Sequence, residues 1–258
     1  MIMNDKTDKN QNISRRDALK KMGALTATAA ISMSGVEALA STVGSSGEAK
    51  KNLKVLLING SARRKGNTFT LLSEIAGQLN KNSIDSEIVN IGSLPVHGCI
   101  ACGRCHAEHL GKCVFDDDVC NKFIDKMAEC DGIIVGSPVY YGQPAGQVLA
   151  VLQRMCYSGG AKLQGKPAAA VTVCRRGGAT AAFQTLQMPF QMLNMPIVTS
   201  QYWNIGYGTA EGEASQDEEG LQTMRTLADN MVYMLKQFST GSAKRPERER
   251  GKYTNFIR

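Results

Sequence analysis

Four cysteines stand close together in the chain, as Cys99-x2-Cys102-x2-Cys105-x7-Cys113. Thiols so spaced are metal ligands or disulfide partners. Four thiolates are what one [4Fe–4S] cluster requires, and three at two-residue gaps can wrap one cluster face. No proline follows Cys113, so it differs from the ferredoxin cysteine that serves a second cluster, and it can close the same compact loop. Zinc also takes four thiolates, usually offered as two separated pairs. Two disulfides are the third solution, at home in an oxidising compartment. His97, His106 and His109 flank the set and can tune a cluster or relay protons. Cys120, Cys130, Cys156 and Cys174 lie in or beside apolar segments and read as small core residues.

A second chemical stretch is KVLLINGSARRKGNT at residues 54–68. Residues 55–58 are an unbroken apolar run, the pattern of a strand buried on both faces. Gly60 breaks it, and residues 61–68 supply hydroxyls, an amide, two arginines and Gly66. Residues 69–79 then place Leu71, Leu72, Ile75, Ala76 and Leu79 at helical spacing. A strand, a hydroxyl-rich turn and a helix N-terminus make a phosphate cradle, because the first helical N–H groups and the dipole favour an anion. It is not a Walker loop, since Asn67 and Thr68 follow Gly66 where lysine would stand. Nor is it GxGxxG, since Ala62 replaces the second glycine. Ser61, Asn67 and Thr68 with Arg63 suit one terminal phosphate, that of a mononucleotide. These residues resemble the first loop of the flavodoxin-like FMN reductase family, commonly GSxRxxGNT.

Two later loops extend the resemblance. Residues 136–143, GSPVYYGQ, are similar to the family's GSPVYFG, which borders the flavin ring. Pro138, Val139, Tyr140, Tyr141 and Gly142 are thereby implicated, the tyrosines as flat contact area and Pro138 and Gly142 as fixers of a tight turn. In residues 175–179, Gly177 and Gly178 permit close backbone approach to the ring edge. FMN is the cofactor these three loops imply. Iron–sulfur flavoproteins carry a compact CxxCxxC…C motif at the corresponding place in such a domain, so the resemblance favours a [4Fe–4S] cluster on Cys99, Cys102, Cys105 and Cys113. Their final gap is often shorter than the seven residues here.

Alternating elements must position these loops. Strands are expected at residues 87–91, 132–136, 168–173 and 196–199 besides the first. Besides the first, helices are expected at residues 119–127, 145–155, 179–193 and 220–238, with Pro189 kinking or ending the one over 179–193. Such alternation argues for an α/β fold with a parallel sheet and helices on both faces. The resemblance adds a flavodoxin-like, doubly wound, five-stranded sheet of order 2-1-3-4-5.

Residues 14–20, SRRDALK, resemble a twin-arginine export signal; a weakly apolar run and Ala38-Leu39-Ala40, an A-x-A cleavage site, follow. The expected organisation is a signal over 1–40, a linker over 41–52, the FMN-binding domain over 53–240 and a basic tail over 241–258. The expected destination is the periplasm or another extracytoplasmic space, with no integral membrane segment after processing. The formal charge of +7 is concentrated at the ends. Residues 1–40 carry six Lys/Arg against four Asp/Glu and residues 240–258 carry six against two, leaving the body near +1. No basic face for nucleic acid follows. No HExxH motif or Ser/His/Asp arrangement supports hydrolysis.

The resemblance therefore implies an FMN-dependent oxidoreductase, of NAD(P)H-dependent FMN reductase or iron–sulfur flavoprotein type. It would move electrons between a reduced donor and a small acceptor such as a quinone, with no side chain assigned as acid or base. Reduced nicotinamides are cytoplasmic, so an exported enzyme needs another donor. The alternative is a non-enzymatic flavodoxin-like carrier between redox proteins. Other expected partners are the twin-arginine export machinery and further copies of the chain, since the family forms dimers or tetramers.

Overall fold

In the computed structural model, which describes residues 52–241 and Pro246, β1 (Lys54–Asn59) runs through the interior of the sheet. Its side chains alternate between faces, Leu56 and Ile58 to one core and Val55 and Leu57 to the other, all 0% exposed. Two-sided burial is why the run is apolar without a break. The further strands are β2 (Asp85–Asn90), β3 (Gly132–Tyr140), β4 (Gln143–Pro144), β5 (Ala168–Cys174) and β6 (Ile205–Tyr207). Five of them lie parallel in the order β2-β1-β3-β5-β6, which is the expected 2-1-3-4-5 arrangement. The two-residue β4 pairs antiparallel with the end of β3 and stands off this path.

The described helices are α1 (Asn67–Lys81), α2 (Arg104–Ala107), α3 (Cys120–Glu129), α4 (Gly146–Ser158), α5 (Gly160–Leu163), α6 (Ala179–Met192) and α7 (Glu218–Thr240), with a 3-10 turn at Glu213–Gln216. Leu71, Leu72 and Ile75 of α1 pack with Met224, Leu227 and Met231 of α7 on one face of the sheet. Phe123 and Ile124 of α3, Val151 and Leu152 of α4 and Leu186 and Phe190 of α6 cover the other. Burying each such side chain fully stabilises by about 1.5–3 kcal/mol, and this fixes which helix lies on which face. α7 opens on Asp217, whose Oδ1 accepts the Gly220 N–H at 2.9 Å while Oδ2 accepts the Tyr207 N–H at 2.7 Å.

The structure departs from the sequence expectations in three places. Residues 196–199 are not the last strand: Ile197 forms one parallel bridge to Ala168, and pairing resumes only at β6. The intervening residues leave the sheet and present Tyr202 and Trp203, ring centroids 5.1 Å apart. Residues 137–140 continue β3 instead of forming a loop, because β4 folds back on them as a hairpin. Helix α6 passes unbroken through Pro189, since Phe190 beyond it is wholly buried and holds the last turn on the core. The expected signal over 1–40 and nearly all of the expected tail lie outside the described residues. Among the described residues no helix is long and apolar enough to cross a membrane.

Candidate functional site

The turn after β1 is tightly built. Gly60 donates its N–H to the Gly136 carbonyl at 2.8 Å. A Cβ on Gly60 would stand 2.7 Å from that oxygen and 2.8 Å from Val148 Cγ2, so the site admits only glycine. Asn59, wholly buried, accepts the Ser61 N–H at 3.1 Å and donates to Asn90 Oδ1 at 2.8 Å and the Arg64 carbonyl at 3.3 Å. Ser61 Oγ accepts the Arg63 N–H at 3.1 Å. The loop is thus folded in advance by its own hydrogen bonds. α1 follows Gly66 with no side-chain cap, which leaves its first-turn N–H groups free to face an anion. Thr68 is buried in that turn, and Arg63, Arg64 and Lys65 are exposed beside it.

Asn67 has a use the sequence did not indicate. Its Nδ2 donates to the Ala210 carbonyl at 2.8 Å and its Oδ1 accepts the Ala214 N–H at 3.1 Å. The amide therefore ties the segment after β6 to the start of α1. That segment is closed by Glu213, whose Oε2 accepts the N–H groups of Thr209 and Ala210 at 2.6 and 2.9 Å. Those two bonds hold the Glu213 carboxyl below the ordinary carboxylate range.

The loops after β3 and β5 meet each other. The hairpin turns at Tyr141 and Gly142, both at positive φ (49° and 78°), as a two-residue hairpin with right-handed strand twist requires. Tyr141 is fully exposed and Tyr140 half exposed, while Ser137 beneath them is buried and accepts the Ala145 N–H at 3.0 Å. Gly178, at φ +85°, caps α6; a Cβ there would lie 2.7 Å from Gly142 Cα and 3.2 Å from Val139 Cγ1. Its close approach is thus to the hairpin. No atom lies within 4 Å of where a Cβ would stand on Gly142, Gly146 or Gly177, so this edge has room. A pre-folded anion turn, two flat exposed rings and open backbone fit the phosphate and ring of a flavin mononucleotide.

The cysteine loop forms a separate site. Cys99, Cys102, Cys105 and Cys113 all line one pocket, together with Phe115, Arg154 and Tyr157. Ala101 and Gly103 turn the backbone there at φ 53° and 71°. All eight cysteines are unpaired. Among the described residues no three His, Cys, Asp or Glu side chains are gathered as ligands of one ion. The four thiols line one pocket, and thiolates are the donors a [4Fe–4S] cluster takes.

The residues that hold this loop escaped the sequence reading. Asn121 of α3, buried, accepts the Cys113 N–H at 2.9 Å and donates to the carbonyls of Cys113 and Phe115 at 2.9 and 3.1 Å. Arg154 of α4 pairs with Asp118, with side-chain exposures of 0% and 3%. Burial alone raises the Asp118 pKa, but the Arg154 guanidinium and the N–H groups of Cys120 and His97 outweigh it and hold the carboxyl below its ordinary value. His97 stacks on Phe115 with centroids 4.7 Å apart, and His106 meets Tyr157 edge-on at 4.4 Å. The other four cysteines are packing residues. Burial pushes the thiols of Cys120 and Cys156 up to about 12 and raises those of Cys130 and Cys174.

A family described as NADPH-dependent FMN reductase matches residues 53–210, a span that contains all three edge loops and the four pocket cysteines. An iron-sulfur flavoprotein of Methanocaldococcus jannaschii is 34% identical over 192 residues, covering 71% of this chain and 98% of that one. One from Archaeoglobus fulgidus is 29% identical over 197 residues, covering 70% and 94%. Among solved structures, RosB superposes with a TM-score of 0.58 at 16% identity, over 74% of this chain and 82% of that one. The flavoenzyme FerB of Paracoccus denitrificans, an NAD(P)H:(acceptor) oxidoreductase, superposes at 0.52 and 17% identity, over 72% and 98%. At such identities these two likenesses concern the fold alone.

Proposed function

Because this chain belongs to the NADPH-dependent FMN reductase family and has a flavodoxin-like fold, we propose that it is an FMN-dependent oxidoreductase of the iron–sulfur flavoprotein kind. It moves electrons between a reduced donor and a small acceptor such as a quinone, through a [4Fe–4S] cluster. The observation that carries this reading is the convergence of Cys99, Cys102, Cys105 and Cys113 on one pocket in a chain whose edge loops fit FMN. When bound, FMN accepts electrons in pairs and releases them singly, which a cluster cannot do alone.

The chain's own residues bind and shape. The α1 first turn with Ser61, Arg63 and Thr68 receives the phosphate, and Asn67 fixes the neighbouring segment through its two bonds. Pro138 to Gly142 with Gly177 and Gly178 form the ring edge, and the two tyrosines supply apolar cover. The four cysteines supply the thiolates for the cluster.

The deciding experiment is anaerobic visible spectroscopy with iron, sulfide and FMN analysis, on protein beginning at Ser41. The expected result is about one FMN and about four irons per chain, with a broad iron–sulfur shoulder beside the flavin bands. FMN without iron or sulfide would leave a plain flavin reductase. Protein that takes up no FMN would overturn the reading altogether. We also propose export by the twin-arginine route, on the strength of Arg15, Arg16 and the Ala38-Leu39-Ala40 site. N-terminal sequencing of the extracytoplasmic fraction should begin near Ser41, and Arg15→Lys/Arg16→Lys should keep the protein inside the cell.

A further inference from the structure

Arg154 is the one charged residue of α4, and it is 1% exposed. Its guanidinium is used on every side. Nε donates to Cys113 Sγ at 3.2 Å. Nη1 donates to the His97 carbonyl at 3.2 Å and to the Asp118 carboxylate, and Nη2 donates to the Phe115 carbonyl at 2.8 Å. The Phe115 ring lies 5.5 Å from Cζ. His97 precedes the first pocket cysteine in the chain, and Phe115 and Asp118 follow the last. One side chain on the packed helix thus clamps both ends of the cysteine segment and touches one of its sulfurs.

We propose that Arg154 holds Cys113 in place as the fourth cluster ligand and sets the reduction potential of the cluster through its N–H on the Cys113 sulfur. This rests on the cluster reading above. A gap of seven residues after Cys105 gives the chain no local geometry that delivers Cys113, so an anchor from another element is needed. Arg154 is that anchor, with Asn121 holding the backbone on either side of the same residue. Reduction adds one electron and makes or breaks no bond, so the reduced state carries one more negative charge. A buried cation that donates a hydrogen bond to a ligand sulfur stabilises that charge and raises the potential. Asp118 moderates the effect by sharing the cation. Arg154 is a positioning residue and takes no part in the chemistry itself.

The test is a potentiometric titration of the cluster, followed by electron paramagnetic resonance, with dithionite as the reductant. In Arg154→Met the ratio of reduced to oxidised cluster at the wild-type midpoint should fall at least tenfold, which for a one-electron couple is a midpoint at least about 59 mV lower. The flavin midpoint should not move. Arg154→Lys retains the charge opposite Asp118, which protects folding, and loses the Nε donor; its midpoint should move the same way by a smaller amount. A purely structural role would reduce cluster content without shifting the midpoint of the clusters that remain. Either variant with four irons and a wild-type midpoint overturns the inference and leaves the cluster reading intact. Wild-type protein without iron and sulfide overturns both.

Discussion

Cys105→Ser should empty the cysteine pocket of iron while leaving the flavin in place. Cys105 is the least exposed of the four and sits in the short α2, where its carbonyl accepts the Leu110 N–H at 3.0 Å. Serine keeps the shape and the backbone bonds but offers an alkoxide donor that iron binds poorly beside thiolates. The iron content should fall from about four per chain to near zero. The FMN loops lie on other elements, so bound flavin should be unchanged. Cys120→Ser is the matched control: its Sγ faces the Val151 carbonyl at 3.8 Å in the core, and its loss should leave iron content intact. Retention of iron by Cys105→Ser, or its loss from Cys120→Ser, would reassign the ligands. Iron and sulfide assays on both proteins decide the matter.

Asp118→Ala should cost about 3–5 kcal/mol of stability, because it strands Arg154 as a buried charge without its counter-ion. The remaining acceptors of the guanidinium are the His97 and Phe115 carbonyls and the Cys113 sulfur, none of them a carboxylate. Urea denaturation of the apo-protein reads this as a lower midpoint with an unchanged slope. The same pair gives wild-type protein a pH dependence. The Asp118 carboxyl is held below its unfolded value near 3.8, so its contribution is complete above that pH and is lost as pH falls through the lower folded value. Asp118→Asn should flatten that acid limb. A stability change within about 0.5 kcal/mol, the usual range of a surface substitution, would show that the pair carries little of the loop's order.

Much of the fold was readable because β1, β3 and β5 are covered on both faces over most of their length, which demands long apolar runs. The last strand was misplaced because residues 196–199 look like a strand yet contribute a single bridge, while β6 carries an interior Gly206 and an exposed Tyr207, which weaken its signal. The hairpin was missed because its turn is Tyr-Gly; a tyrosine at positive φ is outside the Asn-Gly and Asp-Gly patterns that announce such turns. The chemical residues of the cysteine pocket were visible as letters and spacing, whereas their supports were not. Arg154 stands three residues after the buried Val151 and is the lone charge of its helix, so an inward-facing cation was written in the helix phase. Its partner Asp118 lies 36 residues away, a pairing that only the folded chain reveals. Asn67 shows the same limit: its place in the turn was legible, but its bonds to Ala210 and Ala214, 143 and 147 residues away, were not.

The way the sheet ends also bears on how the protein survives at high concentration. An open strand edge is a template onto which another chain can add, the first step of fibrous aggregation. At one border β2 carries Glu87, clasped by Lys54 and Lys126, with Asp85 exposed nearby, and such charges oppose a further strand. At the other, β6 is three residues long, and the carboxylate that opens α7 already takes the outward N–H of Tyr207. Asp217 thus serves as a helix cap and as a guard against polymerisation, one oxygen for each task.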